Sequence, residues 1–264
     1  MILTARGKTD QGLVRSNNED NFYLDEKLGL LVVADGMGGH ASGETASLLA
    51  VNVIRDYFQG PQKLIGDYNH SYSEAANTLK SAISLANLAV FEAAQSSPQL
   101  AGMGTTIAAV LLAGNKLSIA HIGDSRVYLI RAGDIEQLTD DHSMVNEQVK
   151  HDIITKEEAA KSEMKNILTK ALGISTDTEA DLNEMAVFDG DILLLCSDGL
   201  TTMVPDEDIL KIISFAGNPG AVCDSLINAA NEKGGKDNIT VVAGYIEKKK
   251  WYRALIKFME SFRR

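Results

Sequence analysis

The sequence predicts an α+β fold in which buried sheets and helices lie in layers. Three observations predict it. Short apolar runs rich in β-branched residues recur along the chain, as buried strands do. Two glycine turns, Gly114-Asn115 and Gly133-Asp134, sit beside such runs as hairpin loops would. Helical stretches with capping signals stand between groups of strands instead of alternating with each one, which disfavours a simple βαβ repeat.

In chain order, Leu28–Ala34 is the first near-continuous apolar run and reads as a strand. Ser42 to about Phe58 reads as a helix. Ser71-Tyr72-Ser73-Glu74 has the capping-box pattern, and Leu79, Ile83, Ala86, Val90 and Ala94 then fall on one helical face. Thr106–Ala113, Leu117–Ile122 and Val127–Ile130 are the next strands. Thr155-Lys156-Glu157-Glu158 repeats the capping-box pattern ahead of a short polar helix. Ile192–Cys196 and Ile239–Ile246 complete the strands, with helices expected at Asp206–Ile213 and Gly220–Asn231.

The chain has 264 residues, 45% hydrophobic and 23% charged, which fits one large globular domain and excludes wholesale disorder. Its formal charge of −11 argues against a chain that coats nucleic acid. That charge is uneven. Lys248 to Arg264 hold seven basic side chains against Glu260, a net +6, which leaves −17 on the rest of the chain. The N-terminus lacks the apolar core of a signal peptide, and no run approaches the roughly 18 apolar residues that span a bilayer. A cytoplasmic location is therefore expected. Two cysteines, Cys196 and Cys223, are too few for a disulfide framework.

Carboxylates recur where apolar runs or glycine turns end. Leu31-Val32-Val33-Ala34 leads into Asp35-Gly36, His121-Ile122-Gly123 into Asp124, Leu195-Cys196-Ser197 into Asp198, and Gly234-Gly235-Lys236 into Asp237. Glu19-Asp20 adds an acidic pair after Arg15. One Asp-Gly is a turn signal and nothing more. A set of carboxylates at buried strand ends stays ionised only with cations between them. An all-oxygen donor set suits Mg²⁺ or Mn²⁺, and two such ions about 3.5–4 Å apart activate water and clamp a phosphoryl group.

Seven motifs then carry a family resemblance. Arg15-Ser16-Asn17-Asn18-Glu19-Asp20, Asp35-Gly36-Met37-Gly38-Gly39-His40, Gly102-Met103-Gly104-Thr105-Thr106, Gly123-Asp124-Ser125-Arg126, Leu168-Thr169-Lys170-Ala171-Leu172-Gly173, Ser197-Asp198-Gly199-Leu200 and Gly234-Gly235-Lys236-Asp237-Asn238 occur in order. The chain resembles the type 2C metal-dependent Ser/Thr protein phosphatases, in their bacterial form, over residues 1–246. The resemblance implies a four-layer α-β-β-α sandwich, two central antiparallel sheets flanked by helices, with a flap at about 140–167 near the metal site. It also implies roles. Asp35 bridges two metals and the Gly36 carbonyl ligates one; Asp198 and Asp237 complete the first site; Glu19 and Asp20 serve the second, directly or through water. Asp124 joins Asp198 at a third position, and Arg15 binds the substrate phosphate. Hydrolysis then proceeds by attack of a water or hydroxide between the two ions, on phosphoserine or phosphothreonine in proteins, against the action of a Ser/Thr protein kinase.

The proton donor to the leaving alkoxide stays open: Met37 stands where many eukaryotic members carry His, which leaves His40, in a catalytic or a supporting role, or a metal-held water. Cysteine-based phosphatase chemistry is rejected, because Thr202 and Ala229 stand where a phosphate-cradling Arg is needed six positions after each cysteine. No P-loop is present. Two rival functions are a catalytically silent binding module and a two-metal phosphoesterase on small molecules. Beyond residue 246 the resemblance stops. There Trp251, Leu255, Phe258 and Phe262 define one face of a basic amphipathic helix, read as a helix packed on the acidic body, a peripheral membrane contact or a partner-docking segment. A monomer is the default expectation.

Overall fold

The computed structural model describes residues 1–38, 42–155, 158–159, 162, 164 and 166–248. The basic segment after Lys248 and the candidate His40 lie outside the described residues.

Among the described residues, eleven strands form two antiparallel sheets. The first runs in the order β1 (Ile2–Asp10), β11 (Ile239–Glu247), β10 (Ile192–Cys196), β7 (Arg126–Arg131) and β8 (Asp134–Gln137). The second runs β2 (Asp20–Asp25), β3 (Leu30–Met37), β5 (Ile107–Ala113), β6 (Lys116–Ile122) and β9 (Asp181–Ala186), with the short β4 (Gly104–Thr105) beside β3. The helices are α1 (Ser42–Gln59), α2 (Glu74–Ser96), α3 (Met144–Lys150), α4 (Asp198–Thr201), α5 (Asp206–Phe215) and α6 (Pro219–Glu232).

The apolar runs are continuous because both faces of the central strands are buried. In β3, Leu31 and Val33 face the other sheet, while Leu30, Val32 and Ala34 face α1 and α2. In β10, Leu193 and Leu195 point between the sheets, while Leu194 and Cys196 meet α5 and α6. A strand alternates its side chains between faces, so these residues form three apolar layers separated by two sheets. Each fully buried aliphatic side chain contributes about 1.5–3 kcal/mol. The result is the expected α-β-β-α sandwich. No helix among the described residues is long and apolar enough to cross a membrane.

Strands β1, β2, β8 and β9 fall outside the apolar runs. They lie at or next to sheet edges, and their faces are mostly half-buried or exposed. Polar residues therefore interrupt the pattern that marks the centre.

The start of α2 corrects one sequence expectation. The capping residue is Ser73, whose hydroxyl accepts from the Ala76 N–H, so Glu74 is not three places along a box begun at Ser71. The reciprocal contact comes from the sheet. Glu184 on β9 accepts from the Ser73 N–H at 3.0 Å and from the Ser73 hydroxyl, and also takes Lys116 Nζ at 2.9 Å and the Ser118 hydroxyl at 3.1 Å. Burial raises the Glu184 pKa, but these donors outweigh it and hold the carboxyl at about 2, below its ordinary 4.5. A depressed carboxylate stabilises the fold above its unfolded pKa and loses that effect as pH falls through its folded pKa. Glu184→Gln is therefore expected to cost about 1–3 kcal/mol at neutral pH. The deficit should shrink as pH drops from about 4.5 towards 2 in denaturant titrations. A deficit independent of pH would show that shape, not charge, makes this contact. By contrast, the box at Thr155 is present: Glu158 accepts from the Thr155 N–H at 2.8 Å, and the Thr155 hydroxyl accepts from the Glu158 N–H at 3.2 Å.

Candidate metal and phosphate site

The acidic residues meet where the chain crosses between the sheets. The β1–β2 connection passes from the first sheet to the second, and the Gly123–Ser125 turn returns from β6 to β7. Asp35 lies near the end of β3 and pairs in register with Asp20 on β2. Asp198 opens α4 directly after β10, and Asp237 precedes β11. A cavity of about 570 Å³ opens here, lined on one side by Arg15, Glu19, Asp35, Asp124, Asp198 and Asp237. Met37, Leu168, Ala171 and Ile174 supply apolar lining, the last three from the segment that closes the predicted flap.

Contacts to its main chain fix the position of Asp35. The Asp35 N–H donates to Thr106 Oγ1 at 3.0 Å, and its carbonyl accepts from the Thr106 N–H and the Thr105 hydroxyl, each at 2.8 Å. Glycines let neighbouring segments touch. A Cβ on Gly199 would lie 1.9 Å from the Asn238 carbonyl oxygen, and one on Gly43 2.3 Å from Glu19 Oε2. Glycine at the start of α1 thus admits a carboxylate against the positive end of the helix.

Arg15 donates from Nη2 to Asp237 Oδ2 at 2.7 Å and is about half exposed. Its pKa is pushed up, first by that hydrogen bond. The loop carrying it is pinned by the Leu13 N–H to the Gly235 carbonyl at 2.7 Å, and a Cβ on Gly12 would lie 2.2 Å from the Asp237 carbonyl oxygen. Arg15 therefore stands at the cavity beside the carboxylates, with donors free to turn to an anion.

The electrostatics are those of a cation site. Burial, followed by repulsion from Asp20, Asp198, Asp124 and Asp237, pushes the Asp35 carboxyl well above the usual carboxylate range. Asp124 is pushed up to about 8 by burial and then by Asp198 and Asp141. Asp20 is raised to about 7, chiefly by burial, although the Ser197 and Thr240 hydroxyls oppose this. Asp20 does not line the cavity. It is buried, its Oδ2 accepts from the Ser197 hydroxyl at 2.7 Å, and its Oδ1 has no hydrogen-bond partner among the described residues. An orphaned buried carboxylate oxygen among repelling carboxylates is the environment that a divalent cation satisfies. The donors are all oxygen, which fits Mn²⁺ or Mg²⁺.

Several residues that build this site give no local sign of which groups they hold. The Asn238 side chain accepts from the Glu19 N–H at 2.8 Å and donates to the Gln11 and Asn17 carbonyls at 2.9 and 2.8 Å. Ser197 links Asp20 to the Thr240 N–H, and Thr106 links Asp35 to Ser125. Asn238 and Thr106 stood inside motifs, yet only their long-range partners reveal what they do. A second group, His121, His142 and Asp181, brings ligand atoms within 4.8 Å of one another at the start of the flap region. No ligand spacing in the sequence marks it. Both cysteines are buried, with thiols pushed up to about 12 (Cys196) and about 11 (Cys223), in keeping with the rejection of a cysteine nucleophile.

Comparison with known proteins adds four findings. The family model described as protein phosphatase 2C matches residues 13–232. The chain is 39% identical over 243 residues to the serine/threonine phosphatase stp of Listeria innocua, covering 91% of this chain and 94% of that one. The crystal structure of the Mycobacterium tuberculosis serine/threonine phosphatase PstP/Ppp superimposes with a TM-score of 0.84 at 38% identity, over 94% of this chain and 100% of that one. The catalytic domain of PstP in complex with two manganese ions gives a TM-score of 0.82 at 38% identity, over 94% and 99% of the two chains.

Proposed function

The chain belongs to the protein phosphatase 2C family, and on that premise we propose how its own residues divide the work of dephosphorylation. The enzyme is a metal-dependent protein serine/threonine phosphatase. Asp35, the Gly36 carbonyl, Asp198 and Asp237 would hold one cation, and Asp35 with Glu19 and Asp20 the second. Asp124 with Asp198 offers a third position. When bound, the ions supply acidified water and counter-charge for the phosphoryl oxygens.

The observation that carries this reading is the gathering of five carboxylates and one guanidinium around a single cavity. Arg15 binds the phosphate dianion through its planar fork, exchanging part of its contact with Asp237, a partly exposed pair that costs little to open. The flanking carboxylates repel that dianion unless cations are present, so phosphate binding and metal loading are coupled. Met37, Leu168 and Ile174 line the same cavity and would shield the rest of a bound phosphopeptide from water. His40, in the glycine-rich segment after Asp35, is the chain's own candidate donor of a proton to the departing alkoxide. The substrates are phosphorylated proteins, with a Ser/Thr kinase as the opposing activity, in the cytoplasm. Residues 1–246 form the catalytic unit and 247–264 an appendage.

Turnover of phosphoserine, phosphothreonine and phosphotyrosine peptides, after dialysis against EDTA and with Mn²⁺ restored, tests the reading. Activity is expected only with metal, and on the first two peptides. Undiminished turnover in EDTA would end it, and a preference for phenyl phosphate over every peptide would favour a small-molecule phosphoesterase.

A further inference from the structure

We infer that His142, held in its Nε2–H form by Asp181, is a positioning residue that fixes the Gly123–Asp124 turn and joins it to both ends of the flap. The inference rests on the assignment of Asp124 as a cation ligand.

The contacts between His142 and Gly123 run in both directions. The His142 N–H donates to the Gly123 carbonyl at 3.0 Å, and the Gly123 N–H donates to His142 Nδ1 at 3.1 Å. An imidazole that accepts at Nδ1 carries its proton on Nε2. That nitrogen faces Asp181 Oδ2 at 3.3 Å, while Lys170 Nζ holds the other Asp181 oxygen at 2.7 Å. His121 stacks on His142 with ring centroids 4.7 Å apart and planes 14° from parallel, and its Nε2 lies 2.9 Å from the Asp140 carbonyl oxygen. Burial pushes both imidazoles below their ordinary pKa, which favours the neutral ring whose Nδ1 lone pair accepts from Gly123.

The same geometry argues against a metal in this second cluster. A cation on His142 Nε2 would need the proton moved to Nδ1, where it would meet the Gly123 N–H donor to donor. It would also sit beside a carboxylate that already pairs with Lys170. The group is a hydrogen-bond relay.

On its other side the turn is wedged against Thr106. Gly123 has φ +98°, and a Cβ there would lie 2.6 Å from Thr106 Cγ2. Thr106 Oγ1 is the acceptor for the Asp35 N–H at 3.0 Å and shares a hydrogen bond with the Ser125 hydroxyl at 2.6 Å. Asp124 is thus set relative to Asp35 by Thr106 on one side and His142 on the other. His142 also carries the flap: its carbonyl accepts from the Thr169 N–H at 2.9 Å, and the next residue, Ser143, caps α3 and bridges to Leu168. Movement at either end of the flap is therefore felt at Asp124.

Four variants of the full chain test this: His142→Leu, His142→Asn, Asp181→Ala and Asp124→Ala. Asn places its Oδ1 where Nδ1 stood and restores the acceptor for Gly123 without the rest of the ring. Groups that orient a metal ligand are worth roughly 10–100-fold in metal affinity. His142→Leu is expected to raise the Mn²⁺ concentration for half-activation by about tenfold or more, with KM for a phosphopeptide unchanged. His142→Asn should return to near wild type, and Asp181→Ala should fall between them. Nitrogen NMR of wild type should show His142 protonated at Nε2 and bare at Nδ1, a readout independent of activity and of whether a variant folds. Nδ1 protonation, or an Asn variant as impaired as Leu, would overturn the inference. A metal requirement shifted by Asp124→Ala but not by His142→Leu would remove His142 alone from the account. An unchanged requirement in Asp124→Ala would overturn the ligand assignment and the inference with it.

Discussion

Asp35→Asn is expected to lower phosphopeptide turnover at saturating Mn²⁺ by on the order of a thousandfold, while the metal-free protein melts no lower than wild type. The two halves have one cause. Asp35 is half-buried, partly desolvated and repelled by four other carboxylates, so its charge is a burden until cations arrive. Asn keeps the shape and removes the charge. The backbone contacts of Asp35 with Thr105 and Thr106 do not involve its side chain and survive the change. Relief of repulsion stabilises the metal-free state, and each kcal/mol so gained reads as about 2–4 °C in Tm. The rise in Tm that wild type shows on adding Mn²⁺ should shrink in the variant, because a cation then has less charge to satisfy. Calorimetry with and without Mn²⁺, beside a turnover assay, checks all three. Wild-type turnover in the variant would remove Asp35 from the reaction. A metal-free variant that melts well below wild type would make Asp35 a structural anchor instead.

Gly36→Ala is expected to damage stability and activity together. A Cβ at this position would lie 2.0 Å from the Gly43 carbonyl oxygen and 2.7 Å from that of Glu19. Both neighbours are backbone, so no rotamer change makes room. The first turn of α1 has to move away from β3, next to Asp35 and Glu19. Overpacking of this kind costs about 3 kcal/mol, or roughly 6–12 °C in Tm. A displacement near 1 Å among positioned groups costs about a hundredfold in rate. Gly217→Ala is the control, since among the described residues no atom beyond its chain neighbours lies within 4 Å of the added Cβ, and Gly217 lies between α5 and α6 and does not line the cavity. It should leave melting and turnover as in wild type. A Gly36 variant indistinguishable from that control would show that α1 and β3 separate without cost.

The reach of the sequence reading follows from how far each interaction spans. Leu30 to Ala34 read as a buried strand because each residue meets apolar neighbours on one face or the other, and this leaves an unbroken apolar run. Lys8 and Arg6 interrupt β1, an edge strand whose outer face meets solvent, so the run never forms there. Asp35, Asp124, Asp198 and Asp237 were legible as a set because each follows a strand or turn signal, and the ordered motifs gave the set its chemistry. The long-range contacts that hold Asp20, Glu19 and the start of α2 were not legible. Ser197 meets Asp20 from 177 residues away, Asn238 meets Glu19 from 219, and Glu184 caps Ser73 from 111.

By itself the sequence determined the layered α+β class, the strands at its centre, the carboxylates of the candidate site and the cation chemistry that such a set suits. These depend on periodicity, turn residues and side-chain type, all of which act within a few positions. Only the tertiary structure decided that Asp20 sits buried behind the cavity with one oxygen unpartnered, that Arg15 rests on Asp237, and that His142 accepts from Gly123. Those facts depend on which distant segments the two packed sheets bring within hydrogen-bond reach, and a hydrogen bond that closes a loop of a hundred residues leaves no pattern along the chain.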